Sequence, residues 1–163
     1  MFRAKAGLIL QAFGQILPES GNWPPSDGYM DTRTPEQRRR IMQSVKHKDT
    51  GPEIVVRKML HARGYRYRLH RKDLPGRPDI VFGSKRKAIF VHGCFWHGHG
   101  CSKGKLPKSN LNYWRPKIES NKSRDARNRA DLEAAGWDVM VIWQCELVDR
   151  QTLWQKLQEF VEK

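Results

Sequence analysis

The sequence predicts an α/β domain in which helices flank a small mixed sheet. Two patterns carry that expectation. Short apolar runs with strand character fall at residues 79–82, 87–91 and 137–143, bounded by turn residues. Around them lie stretches with helix start and stop signals and apolar residues three or four apart. Elements of both kinds, interleaved on one short chain, pack in layers around a common core.

In chain order, Thr34-Pro35-Glu36-Gln37 matches an N-cap followed by proline at the first helical position, opening a basic helix through Arg38, Arg39, Arg40, Ile41 and Met42. Asp49-Thr50-Gly51-Pro52-Glu53 starts a second helix, with Ile54, Val55, Met59 and Leu60 as its expected apolar face and Gly64 as its stop. Residues 65–69 alternate as a half-buried strand. Gly76-Arg77-Pro78 then turns the chain into the strand at 79–82, and 87–91 reads as the next. Residues 111–135 are polar and helical, with Pro116 tolerable only near the beginning. Gly136 ends that helix, 137–143 reads as a buried strand, and Leu153, Leu157 and Phe160 mark a final amphipathic helix.

A chain of 163 residues makes one domain that buries about two-thirds of its unfolded surface. Lys and Arg number 31 against 17 Asp and Glu, for a net charge of +14 and a pI near 10.1. That excess favours a polyanionic partner, nucleic acid or an anionic membrane surface. No apolar stretch approaches the ~20 residues of a spanning helix, which excludes an integral membrane protein. Six tryptophans argue against a disordered basic tail. Three cysteines cannot form a fully paired disulfide framework, so they point to a reducing compartment or to a metal.

Residues 1–29 differ from the rest. Their basic residues Arg3 and Lys5 balance the acidic Glu19 and Asp27, so the whole +14 resides in 30–163. Pro18, Gly21, Pro24, Pro25 and Gly28 leave little to hold a fixed structure. The segment reads as a flexible N-terminal extension to a domain at 30–163, with Met30 as an alternative start. No small-residue cleavage site follows a long enough apolar core to make it a secretory signal.

The stretch from Cys94 to Cys101 is the most informative in the chain. Cys94, His99 and Cys101 supply two thiolates and an imidazole within eight residues, and Cys145, just after a strand, can complete a tetrahedron. Four N/S ligands with no open position describe structural zinc. By spacing alone His97 is an alternative to His99. A second constellation precedes it. Asp79 starts one strand, and the next ends in Phe90-Val91-His92, so a carboxylate and a group on the neighbouring strand can share a divalent cation. Magnesium suits such hard ligands: a carboxylate, a backbone carbonyl near Val91, waters and a substrate phosphate. His92 and His97 titrate near neutrality and can move a proton. Glu53 can hold water beside the metal or orient a histidine. Singly, each has a plainer role, Asp79 as a turn cap and Glu53 as a complement to the helix dipole. Together, on a strongly basic chain, they favour phosphodiester chemistry. Phe95 and Trp96, inside the proposed zinc loop, are candidates for a wedge pushed between base pairs, with Met42 as a second. Arg38, Arg39, Arg40, Lys46, Lys48, Lys103, Lys105, Lys108, Arg115, Lys117 and Lys122 are candidates for phosphate contact.

These residues resemble a known family. Leu74-Pro75-Gly76-Arg77-Pro78-Asp79, the run from Phe90 to His97, His99-Gly100-Cys101 and Trp143-Gln144-Cys145 are similar to the very short patch repair (Vsr) DNA mismatch endonucleases, over about residues 31–163. The resemblance implies a restriction-endonuclease-like core and a strand-specific nick 5′ to the thymine of a T·G mismatch, the lesion left when 5-methylcytosine deaminates. It further implies magnesium on Asp79 and the Val91 carbonyl, and zinc on Cys94, His99, Cys101 and Cys145. Catalytic histidines are then expected at His92 and His97, the helix glutamate at Glu53, and intercalation by Phe95, Trp96 and Met42. The expected protein is a monomer of the bacterial cytoplasm, at the nucleoid when bound to DNA, working with mismatch-repair proteins. Two departures stand out. Phe90-Val91-His92 lacks the acidic residue and lysine of related nucleases, which fits the Vsr branch. Gly98 and Gly100 replace part of a longer histidine run. The competing readings are a non-catalytic zinc DNA-binding module and a restriction-type nuclease that cuts matched DNA.

Overall fold

The computed structural model describes residues 34–46 and 48–163; the expectations for residues 1–29 lie outside them. Helix α1 runs over Pro35–Ser44 and α2 over Gly51–His61, followed by strands β1 (Arg68–Leu69), β2 (Ile80–Phe82) and β3 (Lys87–His92). A long helix, α3 (Leu111–Ala134), leads to β4 (Asp138–Trp143), and α4 (Arg150–Glu162) closes the chain. Short 3-10 turns occupy Ser102–Gly104 and Gln144–Val148. No helix among the described residues is long and apolar enough to cross a membrane.

Both early helices start where side chains satisfy the free amides of the first turn. The Gln37 N–H donates to Thr34 Oγ1 (3.2 Å) and the Thr34 N–H to Gln37 Oε1 (3.0 Å). The same reciprocal pair joins Thr50 and Glu53 at the start of α2, with Pro52 in its first turn.

The sheet order is β1-β2-β3-β4. The first two pairings are antiparallel and the third, β3 with β4, is parallel, so the α3 segment serves as the crossover that a parallel neighbour requires. Successive residues of a strand face opposite sides, and the two cores follow that alternation. Ile80, Phe82, Ile89 and Ile142 pack with Val56 and Leu60 of α2 and with Leu153, Leu157 and Val161 of α4. Val81, Ala88 and Phe90 face the other way, against Leu132 of α3 and Trp137. The result is a helix-sheet-helix sandwich, the α/β class expected.

Local differences from the expected elements have simple causes. The strand expected over 65–69 narrows to Arg68–Leu69, because β2 offers only two residues in register with it. On α2 the buried residues are Glu53, Val56 and Leu60, while Ile54 is 37% exposed. The buried stripe lies at intervals of three and four; it keeps Leu60, with Met59 packed beside it, but takes Glu53 and Val56 in place of Ile54 and Val55, and so carries a carboxylate. Trp137 is buried, but β4 itself is half-buried, as suits a strand at the sheet edge. On α4 the stripe is Leu153, Leu157 and Val161, with Phe160 beside it.

Leu60 is fully buried among both helices and the sheet. Leu60→Ala is expected to lower unfolding free energy by about 2–5 kcal/mol, read from urea denaturation with an unchanged m-value.

Candidate active site and metal centre

The end of the β2–β3 pairing organises the site. The register sets Ile80 against Ile89; continued by two residues it would set Pro78 against Val91. Proline has no N–H to give, so the ladder stops there. The Asp79 side chain takes over, its Oδ2 accepting the Val91 N–H at 2.7 Å. The N–H and C=O of one strand residue point to the same side, so the Val91 carbonyl turns toward Asp79 with no donor from Pro78. A carboxylate and a backbone carbonyl are the hard oxygen donors that magnesium takes, and they fit such an ion.

Electrostatics agrees with that fit. Burial pushes the Asp79 carboxyl up to about 6, and the neighbouring Glu53 carboxylate adds to this, while the Val91 N–H, His70 and His97 oppose it. Glu53, buried to 1% exposure, is tied on both oxygens. Oε2 accepts the Thr50 N–H, and Oε1 receives Arg57 Nη1 at 3.2 Å. Arg57 also bonds Asp49 at 2.5 Å. Between Glu53 and Asp79 stands His70, with Nε2 3.0 Å from Glu53 Oε1 and Nδ1 3.8 Å from Asp79 Oδ1.

Across from these groups, the rings of His92 and His97 stack at 3.7 Å between centroids and 7° between planes. His97 Nδ1 lies 2.6 Å from Asp125 Oδ2, a contact that fixes the ring and leaves Nε2 on its opposite side. Burial, with His97 beside it, pulls His92 down to about 4, so at neutral pH that imidazole is uncharged.

Cys94, His99, Cys101 and Cys145 offer ligand atoms all within 4.8 Å of one another. His99 Nδ1 is 3.4 Å from Cys145 Sγ, close to the edge of about 3.5 Å that Zn–N and Zn–S bonds subtend in a tetrahedron. The His99 ring stacks on Trp143 at 4.3 Å, and the backbone N–H of His99 donates to the Cys94 carbonyl at 2.9 Å. Burial and the adjacent Cys94 and Cys101 push Cys145 up to about 11, whereas Cys101, also raised by burial, is brought down to about 6 by hydrogen bonds with His99 and Cys94. This set fits structural zinc. His97, the alternative by spacing, belongs instead to Asp125.

The loop carrying these ligands rests on α3. Gly98, at φ +62°, comes so close that a Cβ would lie 2.8 Å from Ile118 Cγ2, which accounts for glycine there. Buried Asn121 donates to the Trp96 carbonyl at 2.8 Å. Phe95 and Trp96 are half-buried and meet Trp114 edge-on, at 5.1 and 6.0 Å. The side chain of Met42 lies outside the described residues, as does that of Arg38; the other candidate phosphate contacts are all exposed. Sequence reasoning did not single out His70, Asp125 or Trp114. Asp125 is one charge among many on a polar helix, 28 residues from its histidine, and only the crossover brings them together.

Two measurements test this chemistry. Because the native state raises Asp79 from 3.8 to about 6, it binds that proton more tightly than the unfolded chain. The resulting stability is complete below pH ~4 and is lost as pH rises through about 6. Asp79→Asn is therefore expected to stabilise the magnesium-free protein by about 2–3 kcal/mol at pH 8, with the gain shrinking toward pH 4 in urea titrations. Cys145→Ser is expected to abolish stoichiometric zinc, read by elemental analysis, and to lower Tm by ~10 °C.

Comparison with known proteins identifies the family. Residues 30–103 match the family described as DNA mismatch endonuclease Vsr. A relative from Xanthomonas oryzae, the type II nicking enzyme V.XorIIP, is 59% identical over 132 residues, covering 81% of this chain and 97% of its own. The DNA mismatch endonuclease Vsr of Escherichia coli is 37% identical over 123 residues, covering 76% and 79%. Among solved structures, the catalytic domain of the homing endonuclease I-Bth0305I aligns with a TM-score of 0.48 and 28% identity over 69% of this chain and 94% of that one. With relatives this similar over most of both chains, the protein belongs to the Vsr DNA mismatch endonuclease family.

Proposed function

We propose that the protein is a magnesium-dependent DNA endonuclease that nicks one strand 5′ to the thymine of a T·G mismatch, the opening step of very short patch repair, and that zinc holds its aromatic loop. The observation that carries the reading is the meeting of the Asp79 carboxyl, raised to about 6, with a stacked histidine pair of which one ring is held by Asp125. The mismatch part rests on the family and on the mismatch endonuclease of E. coli.

Asp79 and the Val91 carbonyl would hold the magnesium ion. Once bound, it supplies charge to the scissile phosphate and lowers the pKa of a coordinated water. His97, oriented by Asp125, takes the proton of the attacking water at Nε2, and the departing oxygen is protonated from solvent. His92, neutral at working pH, donates a hydrogen bond to a phosphate oxygen. Glu53 adds negative charge behind Asp79 and favours the cation. Cys94, His99, Cys101 and Cys145 would hold the zinc, closing the loop that presents Phe95 and Trp96. These two, backed by Trp114, enter the duplex beside the mismatch, where the bases are easiest to unstack. The exposed basic residues contact the phosphates.

The test uses a duplex carrying one T·G mismatch, magnesium and separately labelled strands. A nick confined to the thymine strand is expected, absent on the matched duplex and abolished in Asp79→Ala. Asp125→Asn is expected to slow single-turnover nicking by roughly 10²-fold or more with DNA affinity retained. Binding without cleavage would leave a zinc DNA-binding module, and equal cutting of matched DNA would indicate a restriction-type nuclease.

A further inference from the structure

His70 stands where the two carboxylates of the site meet, and the chemistry above gives it no task. It follows β1 with φ of 47°, a left-handed conformation that costs a non-glycine residue energy and concentrates at functional positions. Its N–H reaches the Asp79 carbonyl at 3.4 Å. The side chain, 16% exposed, directs Nδ1 to Asp79 Oδ1 and Nε2 to Glu53 Oε1. Although Nε2 is only 3.0 Å from that oxygen, the alignment is not that of a hydrogen bond. Among the described residues it is the one buried side-chain nitrogen or oxygen left without such a bond. A strained backbone and an unsatisfied buried nitrogen on one residue are both costs, and packing alone does not require either.

A cation held directly by Asp49, Glu53 and His70, which lie within ligand range of one another, does not suit the charges. The Arg57 guanidinium already occupies that pair of carboxylates. What remains open is the Asp79 side. There the Val91 N–H holds Oδ2, and His70 is the group facing Oδ1.

We infer that His70 is a positioning residue for the divalent-cation site, setting the rotation of the Asp79 carboxylate from its Oδ1 side and separating it from Glu53. A carboxylate held at one oxygen alone still turns about its terminal bond. With the Val91 N–H bonded to one oxygen and the His70 ring packed 3.8 Å from the other, that turning is narrowed to one presentation for an incoming ion. The inference rests on the reading of Asp79 as the cation ligand. Partners that orient a metal ligand affect affinity by about 10–100-fold when removed.

The experiment titrates the zinc-loaded full chain with Mn²⁺ alone, following the loss of free-ion EPR signal, for wild type, Asp79→Ala, His70→Ala and His70→Asn. Asparagine places an amide nitrogen near the Nδ1 position. The Mn²⁺ dissociation constant is expected to rise about tenfold in His70→Ala and to recover most of the way in His70→Asn, with zinc content unchanged in both. The magnesium concentration for half-maximal nicking shifts in parallel, while the rate at saturating magnesium is retained. Wild-type Mn²⁺ affinity in His70→Ala, or equal loss in His70→Ala and His70→Asn, overturns the inference. If Asp79→Ala binds Mn²⁺ as wild type does, the reading of Asp79 itself falls and takes this inference with it. If only His70→Ala is without effect, the reading of Asp79 stands and the inference alone is lost.

Discussion

One hydrogen bond, from the Val91 N–H to the Asp79 carboxylate, organises the working end of this molecule. It exists because Pro78 cannot continue the antiparallel ladder. A side chain replaces the missing backbone partner, and the strand pair ends in a carboxylate beside a carbonyl rather than in two paired peptides. The next residue along β3 is His92, whose ring then lies over the same end of the sheet. Much of the site's chemistry thus follows from one imino acid placed where the strands part.

The charge arrangement sets two carboxylates against each other on a basic protein. The protein carries +14 overall, yet its interior gathers Glu53 and Asp79 in close succession. Arg57 and Thr50 balance Glu53, so that carboxylate is structurally content and also begins α2. Asp79 is less well compensated, which is why burial raises it. A carboxyl of this kind costs stability at neutral pH, where the native state must ionise it.

The second half of the site depends on α3. This helix is polar along most of its length, and among its residues only Ile118, Asn121 and Leu132 are buried. Leu132 packs on the sheet, while Ile118, against which Gly98 lies, and Asn121, bonded to the Trp96 carbonyl, hold the loop that contains the cysteine cluster. The same helix delivers Asp125 to His97 and Trp114 to the aromatic pair. One crossover therefore joins the histidine pair, the loop of the cysteine cluster and the aromatic edge.

Local chemistry in the sequence was enough to specify the α/β class, the two capped helix starts, the three main strands and the clustering of Cys94, His99, Cys101 and Cys145. Each depends on interactions a few residues apart or on residue types with few alternative uses: proline, capping threonines, alternating apolar runs, dense thiols. The family was legible for the same reason, because its motifs are short and contiguous. Asp79, His92, His97 and Glu53 were nameable from their motifs, but their mutual geometry was not. The grouping of His99 rather than His97 with the cysteines, the buried face of α2, and the neighbours of His70, Asp125 and Trp114 were decided only by tertiary structure. They depend on which groups the β3–β4 pairing and the α3 crossover bring within a few ångströms, and separation along the chain carries no information about that distance.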